Sequence, residues 1–159
     1  MEIKFGQTIP KGYMLEIQTW ENDADHYKTQ TVIGVEEQEI QQYKYILELF
    51  KESHCNNSKK CGNEEWDIVK GSVVKHIANG IESGQLTIEF IKKVLFFQDL
   101  QLLIDGDEQE EYDLLEGLQE LLGYPVEYDS DFLRVVESVK LFIIDEPIVM
   151  PDVKRINML

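Results

Sequence analysis

Two cysteines and a histidine stand close together in the segment His54 to Cys61, and thiolate with imidazole is a zinc-binding combination. Cysteine pairs that bind zinc are usually separated by about two to four residues and belong to a set of about four ligands. Here five residues separate Cys55 from Cys61, and His54 is the only further ligand nearby. A disulfide is geometrically possible but is disfavoured in a reducing cytoplasm. Two reduced cysteines without a metal are therefore expected.

A second segment, Asp105 to Glu116, partly matches a calcium-binding loop. Asp105, Asp107 and Glu116 occupy the first, third and twelfth positions of that pattern. The sixth position needs glycine for a sharp turn but carries Glu110. The second half of the segment also fits a helix better than a loop, so no calcium site is expected.

Catalytic motifs are absent from the sequence. It contains no glycine-rich phosphate loop, no nucleophile elbow and no HExxH pattern. With 31 carboxylates in the chain, no particular acidic pair is distinctive. His76 falls near the apolar face of a predicted helix, where a structural role is favoured. The sequence therefore predicts a protein that is not an enzyme, with no catalytic residue, no metal and no cofactor.

The elements that would position any binding residues begin with strands. Residues 13–20 alternate between apolar and polar side chains, and residues 26–33 are rich in Tyr, Thr, Val and Ile. The polar segment 21–25 between them predicts a β-hairpin. Ile3 and Phe5 suggest a third short strand before it.

From residue 36 onwards the apolar spacing becomes helical. It predicts helices over about 36–53, from an N-cap at Asn63 to an end marked by Gly80 and Gly84, from Thr87 to about Ile104, and from about 108 to Gly123. Ser130 or Asp129 can cap a short fifth helix, and a strand at Leu141–Ile144 is the alternative. The prediction is one mainly helical α+β domain spanning residues 1–159. Its strands lie within about 1–34, its helices within about 36–140, and an extended arm covers 147–159.

The composition restricts the possible partners. The 159 residues are 43% apolar, and the formal net charge is −16. No apolar run reaches the length of a membrane span, and the N-terminus lacks the pattern of a secretory signal, so a cytoplasmic location is expected. The negative charge argues against direct binding to nucleic acid or to anionic membranes. It favours steered association with a basic partner.

The acidity is concentrated in one part of the chain. Residues 105–146 contain fourteen acidic side chains against Arg134 and Lys140, a net charge of −12, whereas residues 1–104 sum to −5. Such a segment is either the solvated face of helices and loops or a docking surface for a basic partner. The docking interpretation predicts a set of partner-binding residues: Asp105, Asp107, Glu108, Glu110, Glu111, Asp113, Tyr124, Glu127, Tyr128, Asp129 and Asp131. Tyr112 is a further candidate aromatic anchor, although core packing is the favoured prediction for it.

The chain resembles the immunity proteins of bacterial contact-dependent growth inhibition systems. The resemblance rests on the acidic single domain without catalytic motifs, the acidic stretch 105–146 and the N-terminal sequence MEIKFGQTIPKGYMLEIQTW. These families share no signature motif, so the resemblance assigns no residue a role. It implies a protein that binds the C-terminal toxin domain of a delivered effector, often a nuclease acting on tRNA or DNA. The toxin complex can include a further protein.

Three other interpretations remain open. One is a metal-binding or hydrolytic enzyme that uses the His54–Cys61 segment or the 105–116 acidic cluster, and elemental analysis of the purified protein would test it. A DNA-mimic inhibitor from a phage or mobile element would share the acidity, but its carboxylates would form two rows along an elongated shape. A generic adaptor would use the acidity only for solubility, so neutralising Glu108, Glu110, Glu111 and Asp113 would leave its partner binding intact.

Overall fold

The predicted hairpin forms the centre of an antiparallel sheet. The computed structural model describes residues 6–21, 26–51, 66–123 and 134–149. After β1 (Thr8–Ile9), β2 (Gly12–Glu21) pairs with β3 (His26–Val35) around the predicted 21–25 connection. Successive side chains of a strand point to opposite faces, and Leu15, Ile17 and Thr19 of β2 are buried on the same face. The hairpin prediction is confirmed.

A third long strand joins the sheet from the other end of the chain. β4 (Arg134–Ile144) pairs antiparallel with β2, so the strand order is β3-β2-β4. The prediction of a fifth helix here, and of helices reaching residue 140, is wrong. The strand alternative is correct, although the strand begins well before Leu141. Val136 and Val139 lie three residues apart, as on a helix, but β-branched residues favour a pleated strand, and pairing with β2 decides the outcome.

The predicted C-terminal arm is extended where the structure describes it. Its first residues form β5 (Ile148–Val149), which pairs antiparallel with β1 in a separate two-stranded sheet. The arm is therefore held against the N-terminal part of the chain at this point. Residues 150–159 lie outside the described residues.

Five helices connect the strands among the described residues: α1 (Glu37–Glu48), α2 (Trp66–Glu82), α3 (Ile88–Leu95), α4 (Leu100–Ile104) and α5 (Glu108–Leu122). The first helix stops five residues short of the predicted end. The second passes through Gly80 and ends at Glu82, so of the two glycines predicted to end it only Gly84, with a left-handed φ of 81°, lies at the end. Gly80 instead lets α2 lie close to neighbouring side chains. A Cβ placed there would lie 2.6 Å from atoms of Leu86 and Tyr45.

The predicted helix from Thr87 to Ile104 is divided in two. Thr87 caps its start as expected, since its hydroxyl accepts a hydrogen bond from the Phe90 amide at 3.3 Å. Phe96 then adopts a left-handed conformation (φ 67°), and Asp99 caps the separate helix α4. The prediction of one continuous helix is wrong because Phe96 is not a residue type that usually marks a left-handed helix end.

One hydrophobic cluster packs the helices against one face of the sheet. Leu15 and Ile17 of the sheet share it with Ile46 and Leu47 of α1 and with Leu95, which is fully buried at the end of α3. The predicted α+β single domain with N-terminal strands is therefore confirmed. Among the described residues, no helix is both long and apolar enough to cross a membrane.

Several predictions fall on residues that the structure does not describe. These are the short strand at Ile3 and Phe5, the N-cap at Asn63, and the segment containing His54, Cys55 and Cys61. They remain predictions.

Candidate protein-binding surface

Helix α5 carries the start of the acidic segment and has two different faces. Its inner face buries Leu114, Leu118 and Leu122 in the core. Gly117 allows this face to approach α3 closely, because a Cβ at that position would lie 2.5 Å from the Leu95 Cα atom. The opposite face is therefore directed to solvent.

An exposed stripe follows the outer face of α5 at four-residue spacing. It consists of Glu108, Tyr112, Glu116 and Glu120, and we call it the α5 stripe. Residues four apart on a helix are neighbours on its surface, so Tyr112 lies between two carboxylates. Tyr112 is 64% exposed, and the prediction that it packs in the core is wrong. Glu116 and Glu120 were absent from the predicted set, although their spacing from Tyr112 was visible in the sequence.

Glu110 faces the opposite way from the α5 stripe. Its side chain is buried, and Oε2 accepts hydrogen bonds from the backbone amides of Gln98 and Asp99 at 2.7 and 3.3 Å. These amides belong to the link between α3 and α4. Glu110 therefore holds α5 to that link and does not contribute to an exposed surface, contrary to its place in the predicted set.

Two other predicted binding residues have local structural contacts. The Asp107 carboxylate accepts a hydrogen bond from the Glu110 amide at 3.0 Å and caps α5. The Asp105 carboxylate, which is exposed, accepts one from the Gln101 side-chain amide at 3.1 Å. Both carboxylates lie near the start of α5, the end at which the helix dipole favours acidic side chains.

The other predicted residues in the described part of α5 are more accessible. Glu108 is exposed, while Glu111 and Asp113 are partly buried. Asp113 accepts a hydrogen bond from the Gln109 side-chain amide at 2.9 Å, and Glu111 lines a shallow groove of about 330 Å³ together with Lys75 and Ile104. The structure thus brings Glu108, Glu111 and Asp113 onto one helix but not onto one face.

Apolar side chains accompany the acidic ones at the preceding corner. Leu102 and Ile104 of α4 are about half exposed. Apolar residues surround the predicted helix 87–104 on most sides, a pattern that predicts a core position for both side chains. The break at Phe96 separates α4 from α3, and of the apolar residues of α4 only Leu103 is buried.

The α5 stripe lies in a part of the sequence that has acidic but no basic side chains. The sequence contains no Lys, Arg or His from residue 94 to residue 133. Lys93 forms an ion pair with the buried carboxylate of Glu39 at 2.8 Å, and the Lys28 ammonium donates a hydrogen bond to the Gly123 carbonyl at the end of α5. No ion pair to the α5 stripe occurs among the described residues.

The second half of the predicted binding set lies outside the described residues. It comprises Tyr124, Glu127, Tyr128, Asp129 and Asp131. Their role in binding remains a prediction.

The geometry offers no assembled metal centre in the described ranges. No group of three or more His, Cys, Asp or Glu side chains there is placed to hold a metal ion. The calcium-loop pattern is not a loop, because residues 108–116 are helical and place Glu116 two turns along α5. What the arrangement provides is a solvent-facing row of carboxylates around a tyrosine.

The chain matches no protein-family model, no curated protein and no solved structure.

Proposed function

We propose that the protein is an immunity protein that binds and neutralises a basic, nuclease-type toxin domain, with the α5 stripe as part of the binding surface. The observation that carries the proposal is the exposed Tyr112 between Glu108 and Glu116, in the sequence segment 94–133, which contains no Lys, Arg or His. Interface centres are enriched in tyrosine, and complementary charge accelerates association. The protein would act in the cytoplasm of the cell that makes it.

The chemistry of the partner follows from the charge. A nuclease needs Lys and Arg side chains to hold the phosphates of its substrate. A row of carboxylates can occupy the same basic groove and keep the nucleic acid out. Tyr112 would supply the apolar contact area that the carboxylates lack. Neutralisation then requires only binding, which agrees with the lack of catalytic motifs in the sequence.

Growth rescue tests this proposal. The toxin domain encoded immediately upstream is expressed with and without this protein, and survival should depend on the protein. The double variant Glu108→Gln/Glu116→Gln should protect poorly because it removes two charges from the α5 stripe.

A matched control separates this effect from a change in net charge. Glu37→Gln/Glu82→Gln removes two exposed carboxylates from α1 and α2, and it should protect as well as the wild type. Equal protection by the two double variants would contradict the role of the α5 stripe. Absence of an upstream toxin gene, or of any rescue, would contradict the immunity function. Competition with duplex DNA for a host nuclease would instead support the DNA-mimic alternative.

A further inference from the structure

In the described part of the chain, β4 is an edge strand of the sheet. It is the last strand in the order β3-β2-β4, and within the described ranges no strand pairs with its outer side. Alternate backbone amides and carbonyls of such a strand point away from its neighbour and can pair with another strand. The open side runs along β4 beyond Val136, whose amide is bonded to the Phe50 carbonyl, and the strand contains no proline.

The side chains on this strand are unusually apolar for an exposed edge. Val139, Leu141 and Ile143 stand opposite Ile17, Leu15 and Tyr13 of β2, so they lie on the face that carries the core. They are nevertheless 42, 45 and 68% exposed. The helical layer therefore does not reach across β4, and three core-type side chains remain in water.

A groove continues this apolar surface towards α1. It has a volume of about 300 Å³, and Val136, Val139 and Leu141 line it together with Ile40 and Leu47 of α1. The end of α1 is fixed at its border, because the Val136 amide donates a hydrogen bond to the Phe50 carbonyl at 2.7 Å.

The charge around this edge differs from that of the rest of the molecule. The charged residues of β4, of the groove and of the turn after β4 are Arg134, Lys140, Lys44, Lys51, Glu137, Glu48, Asp145 and Glu146, four of each sign. The acidic helix α5 lies at the other side of the sheet, where the Gln30 side chain of β3 donates a hydrogen bond to the Glu120 carbonyl at 3.0 Å. A basic partner is attracted to that side, whereas the β4 edge is electrically neutral.

We propose that the free edge of β4 pairs with β4 of a second copy of this chain, forming a continuous sheet across a two-fold axis. The edge requires a strand with apolar side chains at alternate positions on one face, and β4 itself is such a strand. In an antiparallel pair centred on Leu141, Val139 of one copy stands opposite Ile143 of the other. The neutral edge lets two copies of net charge −16 meet without placing their acidic helices against each other.

Sedimentation equilibrium of the full-length chain tests this proposal. We expect a reversible dimer whose dissociation constant falls several-fold as NaCl rises from about 0.05 to about 0.5 M, because salt screens the repulsion between two acidic molecules. Binding of a basic toxin at the α5 stripe should weaken over the same range, so salt distinguishes the two surfaces. A wild-type chain that stays monomeric at all salt concentrations would overturn the proposal.

Variants identify the surface. Leu141→Lys and Ile143→Lys should each raise the dimer dissociation constant by about tenfold or more, since each places a charge at the paired edge. Ile88→Lys changes a similarly exposed apolar side chain on α3 and should leave the constant unchanged. Far-ultraviolet circular dichroism verifies that all three variants are folded. Equal dimerisation of Ile143→Lys and Ile88→Lys would show that β4 is not the interface.

Discussion

Two carboxylates of helix α5, Glu110 and Glu116, differ in burial and in hydrogen bonding. Glu110 is buried and accepts two backbone hydrogen bonds, whereas Glu116, nearly two turns further along the same helix, is exposed. The sequence shows both simply as acids in a helix. Their roles could not be predicted because Glu110 is fixed by a link that forms only when the helix 87–104 breaks at Phe96.

This difference predicts opposite effects on stability. Glu110→Ala leaves the amides of Gln98 and Asp99 without their acceptor and should lower the free energy of unfolding by about 2 kcal/mol. Glu116→Ala, on the exposed face, should change it by no more than about 0.5 kcal/mol. Urea denaturation of both variants measures the difference. Equal stabilities would mean that Glu110 does not hold α5 to the α3–α4 link.

A buried tyrosine predicts how stability depends on alkaline pH. Tyr43 packs edge-on against Phe90, with ring centroids 4.9 Å apart. Burial, assisted by the nearby Glu39 carboxylate, raises the pKa of Tyr43 to about 12. The unfolded chain therefore releases this proton at lower pH than the folded one. The stabilisation is complete below about pH 10 and is lost as the pH rises towards 12.

Tyr43→Phe removes this dependence. Between about pH 9 and pH 11.5 the wild type should lose about 2 kcal/mol more stability than the variant, as measured by denaturant unfolding at each pH. Tyr112→Phe alters an exposed tyrosine and should follow the wild type. A Tyr43→Phe variant with the wild-type pH dependence would refute the assignment.

Element boundaries follow from the sequence wherever local signals and tertiary packing agree. The hairpin and the cap at Thr87 are predictable because polar turn residues and a capping hydroxyl mark them. The strand β4 is not predictable from the sequence, because its valines also fit a helical spacing. Only pairing with β2 selects the strand. The stripe of α5 was present in the spacing of Glu108, Tyr112 and Glu116, but the helix boundary and the direction of its buried face were needed to see it.

The packing of α5 against α3 predicts an unusual response to alanine. Alanine normally stabilises a helix by about 1 kcal/mol relative to glycine. Gly117→Ala should instead lower the free energy of unfolding by about 1–2 kcal/mol, because the added Cβ meets the Leu95 backbone. Gly71→Ala in α2, where a Cβ has no neighbour within 4 Å, should raise it by about 0.5–1 kcal/mol. Thermal denaturation of the two variants provides the comparison, and a shift of the same sign in both would contradict the packing of α5.

At the scale of the described molecule, the acidic helix α5 and the apolar strand β4 lie at opposite edges of one sheet. Helix α5 contacts β3 at one edge, while β4 leaves a neutral and apolar edge at the other. The sequence predicts how unevenly the charge is distributed along the chain. It cannot show that the acidic helix lies far from β4, because this depends on β4 joining the sheet beside β2. The proposed toxin surface and the proposed dimer interface therefore lie at different edges of the sheet.

The association rate with the toxin domain tests the central claim most directly. The rate constant for the wild type should fall steeply as NaCl increases, because the α5 stripe steers a basic partner. Glu108→Gln/Glu116→Gln should reduce both the rate at low salt and its dependence on salt, while Glu37→Gln/Glu82→Gln should change them far less. A rate that does not depend on salt, or the same dependence in both double variants, would contradict the account.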